Sequence, residues 1–80
     1  MNESKSKLTL DQPVIYLIKV PGAIDAKWLD WNGGVAINIE NDGEQPITTL
    51  TTTVDQAALH GLLRHLYSRG LPLISVVCMD

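Results

Sequence analysis

Three side chains on one short stretch have the types to do chemistry: His60, Arg64 and His65. The apolar spacing around them reads as a helix. His60 and Arg64 are four apart and so neighbour each other, where they could meet an anionic ligand. His60 and His65 are five apart, roughly 140° around a helix. One helix gives a metal two ligands only at a spacing of three or four, so this pair cannot chelate. Without a ligand the three are solvent-facing helix polars, the usual state of these residue types.

The remaining candidates are as sparse. Asp55 is explained by a helix cap and Asp42 by a turn, and local sequence places no pair among Asp25, Asp30, Asp42, Asp55 and Glu44 to share a site. General acid–base chemistry needs paired, positioned groups and is not supported. Cys78 lies in an apolar run, whereas a reactive thiol needs an electropositive setting. Gly33-Gly34 opens a strand, so it lacks the strand-to-helix context of a phosphate loop. Trp28 and Trp31 are three apart and share a face if the turn between them is helical. Two indoles there either seal one edge of a thin core or form a platform for a ligand or partner. No catalytic residue, metal site or cofactor is expected. Ligand or partner candidates are Trp28, Trp31, His60 and Arg64.

Composition narrows the setting. The chain has 80 residues, 45% hydrophobic and 19% charged, with four aromatic residues and no Phe. That is enough for one domain with a core of Leu, Ile and Val. A net charge of −3 and a pI near 5.1 argue against nucleic acid and anionic membrane, which need clustered Lys and Arg. One cysteine excludes an internal disulfide and any Cys-pair zinc site. Met1 to Lys7 is polar and no apolar run approaches the ~18 residues of a membrane span, so a cytoplasmic location is expected.

The elements that position these residues follow from pattern. Residues 1–12 are polar and read as a flexible tail, leaving 13–80 as a single α+β domain. Pro13 to Val20 alternates as a strand, with Val14, Tyr16, Ile18 and Val20 on one face and Ile15, Leu17 and Lys19 on the other. Apolar residues on both faces suggest a central position or a second covered face. Ala23 to Asn32 holds a short helical turn, and Val35 to Glu40 is a half-buried strand. Asn41-Asp42-Gly43 is hairpin chemistry, returning in a threonine-rich strand from Ile47 to Thr53.

The long helix is the most fully specified element. Asp55 caps it, Val54 and Leu59 have staple spacing, and Gly70 ends it with Leu71 folding back onto Leu66. Leu59, Leu62, Leu63 and Leu66 form one stripe that must face a sheet. Pro72 to Met79 follows as a last strand, apolar on both faces.

The blocks Val54 to Leu63 and Gly70 to Val76 resemble those of a family of short bacterial proteins of unknown function. Those proteins carry a DQAALHGLL block followed by GLPLxSV, and the Gly22, Trp28 and Trp31 region matches more loosely. The resemblance implies no activity, ligand or catalytic residue.

The order β-α(short)-β-β-α-β is that of a ferredoxin-like antiparallel sheet with one long helix. One helix and one turn cannot cover both faces of four strands, so Ile15 and Leu17 are the expected dimer-interface residues. The leading expectation is a small homodimeric protein-interaction or regulatory module without catalytic activity of its own. A small-molecule-sensing module using the tryptophans is the second, and a small dimeric enzyme with a site shared between chains is the third. A pocket joining His60 or His65 to a carboxylate would mark the third.

Overall fold

A computed structural model describes residues 11–25, 27 and 34–79. Four strands, β1 (Val14–Pro21), β2 (Val35–Asp42), β3 (Gln45–Val54) and β4 (Ser75–Met79), form one sheet. The long helix among the described residues, α1, is Gln56–Ser68. The strand order is β2-β3-β1-β4, and every adjacent pair is antiparallel. The chain is therefore α+β with a four-stranded antiparallel sheet and one long helix. β1 lies between β3 and β4, the first of the two arrangements its apolar faces suggested. The short helical turn expected around Trp28 and Trp31 lies outside the described residues.

Local chemistry sets each boundary. The hairpin is longer than its sequence suggested, because Asn41 and Asp42 pair with Pro46 and Gln45 instead of turning. The turn is Gly43-Glu44, with Gly43 at φ 74°, a left-handed value that suits a two-residue loop between twisted strands. β4 is shorter than Pro72 to Met79. Proline brings no backbone donor, and the ladder opens where the Ile74 N–H donates to the Lys19 carbonyl at 2.8 Å.

α1 carries both of its expected caps. The Asp55 carboxylate accepts from the Ala58 N–H at 2.8 Å. At the far end Leu71 N–H donates to the Leu66 carbonyl and Gly70 N–H to that of Tyr67, with Gly70 at φ 80°. That pair of bonds is a Schellman motif. Asp55→Ala should cost about 1 kcal/mol. Urea midpoints of the two proteins measure it, and equal midpoints would show that the cap bond contributes nothing.

Tyr16, Ile18 and Val20 of β1, Leu50 of β3 and Leu59, Leu62 and Leu66 of α1 are buried in one cluster, with Leu63 and Val54 packed at its margin. Two threonines also lie inside it. Thr48 Oγ1 accepts from the Ile24 N–H at 2.9 Å and donates to the Gly22 carbonyl at 2.6 Å. Thr52 Oγ1 donates to the Gly34 carbonyl at 2.9 Å. These hydroxyls pin the two ends of the β1–β2 connection to β3. Thr48→Val keeps the shape but leaves a donor and an acceptor unpaired, at a cost of about 1–3 kcal/mol. Thermal unfolding against an exposed control, Thr53→Val, should show the difference; equal melting points would discount the pin.

Candidate functional site

Cross-strand partners share a face, so the register assigns every strand residue to a side. Opposite α1 lie Ile15 and Leu17 of β1. Ile15 pairs with Met79 and Leu17 with Val77 of β4. On their other flank they meet Thr53 and Thr51 of β3. Beyond these, Thr49 of β3 meets Asn38 of β2 and Thr51 meets Ala36. This open face is graded. It is apolar at Ile15, Leu17, Val77 and Met79, turns polar at Lys19 and its partner Ser75, and is polar over β3 and β2.

No element of the described chain covers the apolar end. Ile15 is 43% exposed, Val77 45% and Met79 46%, while Leu17 is half-buried between its neighbours. Among the described residues β4 is uncovered on its other side too. Val76 and Cys78 pair with Ile18 and Tyr16 and so lie on the helix side, yet Val76 is 38% exposed and Cys78 is exposed. α1 packs over β1 and β3 and stops short of this edge strand. The sequence marked the last strand as apolar on both faces. That neither face is covered depends on where the helix lies across the sheet, which local sequence does not encode.

The polar candidates do not converge. His60 and Arg64 are exposed on α1, and His65 is half-buried with its carbonyl accepting from Ser68 Oγ at 2.7 Å. Trp28 and Trp31 lie outside the described residues. Among the described residues no group of three or more His, Cys, Asp or Glu is placed to hold a metal. A shallow open cleft at the end of α1 is lined by Tyr67, Gly70, Leu71 and Pro72. Its walls hold no acid, histidine or cysteine, so it offers contact surface and no reacting group.

The sheet and α1 coincide with a recognisable sequence unit. A family model described as "Domain of unknown function (DUF8691)" matches residues 15–77. No curated protein and no solved structure matches the chain.

Proposed function

As the chain belongs to the DUF8691 family of domains of unknown function, we propose its role from its own surface. It is a small, homodimeric, cytoplasmic protein-interaction or regulatory module with no catalytic activity of its own. The observation that carries this reading is the apolar end of the open face, where Ile15 and Leu17 lie beside Val77 and Met79 with no described element over them. A contiguous apolar patch of this kind on a small domain marks a contact surface. A second copy is the economical cover, since it adds to a core that 80 residues fill only modestly.

Supporting points come from charge and pattern. The acidic balance disfavours nucleic acid and anionic membrane as partners. Among the described residues no helix is long and apolar enough to cross a membrane. The same reading takes the arrangement as ferredoxin-like with a shortened first helix. It takes Asp55 to Leu63 and Gly70 to Val76 as the signature of a family of short bacterial proteins. Sedimentation equilibrium of the wild type at micromolar concentration tests the proposal. A mass of two chains supports it, and a monomer removes it.

A further inference from the structure

The outer edge of β4 has no strand beside it among the described residues, and a row of N–H and C=O groups with no ladder partner is a template for pairing with another extended backbone. Natural edge strands are normally blunted by charge, proline or a bulge. β2, the opposite edge, follows that rule with Asn38, Glu40, Asn41 and Asp42. β4 does not: its sequence is Ser-Val-Val-Cys-Met, and no charged residue occurs from Leu71 to Met79.

Area points the same way. A stable dimer buries about 800 Å² per partner. Even a large aromatic side chain buries only about 150–250 Å² when fully covered, so four partly covered aliphatic side chains on the open face fall well short. Of the other exposed large apolar side chains, Leu73, Ile74 and Val76 are on β4 and the segment leading into it, while Tyr67 on α1 and Ile39 on β2 stand apart. An occupant that reaches both sides of an edge strand lies along that edge. For a chain of net charge −3, the uncharged stretch is also where a second copy approaches with least repulsion.

We infer that β4 pairs antiparallel with β4 of a second copy about a two-fold axis at Val77, and that the joined sheet creases at this seam toward its open face. This rests on the self-association proposed above and specifies its geometry. Centring on Val77 is the only register that pairs all five residues. It sets Ser75 opposite Met79 of the second copy and Val76 opposite Cys78. The crease follows from the gradient across the open face. Side chains next to the seam, including Ile15 and Leu17, are folded inward, while the threonine and asparagine half stays wet.

The test places a single cysteine at each position in the full chain. Val77→Cys in a Cys78→Ser background brings two thiols face to face, with Cα atoms about 4.5–5.5 Å apart, within disulfide reach. Val76→Cys in the same background, and the native Cys78, are displaced from their own copies. Mild oxidation should turn most of the Val77→Cys protein into a species of doubled mass on a non-reducing gel, with little from the other two. On the wild type, amide exchange along Ser75–Met79 should slow several-fold as concentration rises through the dissociation range. A wild-type dimer that shows neither the Val77→Cys cross-link nor this protection overturns the strand pairing and leaves the self-association standing. A wild-type monomer overturns both.

Discussion

Leu62→Ala should lower the stability by about 2–5 kcal/mol, the range for removing a large aliphatic side chain from a packed core. Leu62 is fully buried at the centre of the stripe that joins α1 to β1 and β3. Among the described residues α1 is the one long helix on the sheet, and no other described element closes over the space it leaves. A domain of this length has about 4–12 kcal/mol in all, so the variant should be partly unfolded at physiological temperature. Denaturant titration followed by circular dichroism gives the number. A loss below 1 kcal/mol would mean that α1 is not held by this stripe. Leu63→Ala, on the margin of the same stripe, should cost less.

The contrast between these two leucines shows what the sequence makes legible. The 3.6-residue spacing identifies the stripe, and Asp55 and Gly70 state its ends, so α1 is readable almost to the residue. Alternation in β1 likewise assigns Tyr16 and Ile18 to the core and Ile15 and Leu17 to the other face. Those signals are local, carried by residues within a turn or a strand of each other. Thr48 and Thr52 were legible only as strand formers. Their structural role depends on Gly22, Ile24 and Gly34, which are 18 to 26 positions away. The early start expected for the last strand failed for a related reason, because pairing waits on the Lys19 carbonyl across the sheet.

The candidate site divides along the same line. That Ile15 and Leu17 share a face with part of β4 follows from alternation and strand order. That Val76 and Cys78 are uncovered on the helix side does not, since it depends on how far α1 extends across the sheet. His60 and Arg64 have types that suggest a site, but type alone did not bring them to a third group. The surface that best accounts for a function is apolar, and it has no motif.

Leu17→Glu should convert the proposed dimer into a folded monomer at micromolar concentration. Leu17 sits between Thr51 and Val77, one strand in from the bare edge and at the middle of the apolar end of the open face. Burying a side chain of this size contributes about 1.5–3 kcal/mol, and a two-fold interface counts it twice. A carboxylate there loses that term and adds the cost of taking charge out of water, which without a partner is several kcal/mol per ion. The monomer itself tolerates the change, because without the second copy the position opens to solvent. Ala36→Glu, exposed on the same face but on β2, should leave the mass at two chains. Sedimentation equilibrium reads the association and circular dichroism checks that both variants are folded. A Leu17→Glu protein that stays folded and dimeric would place the interface elsewhere on the molecule.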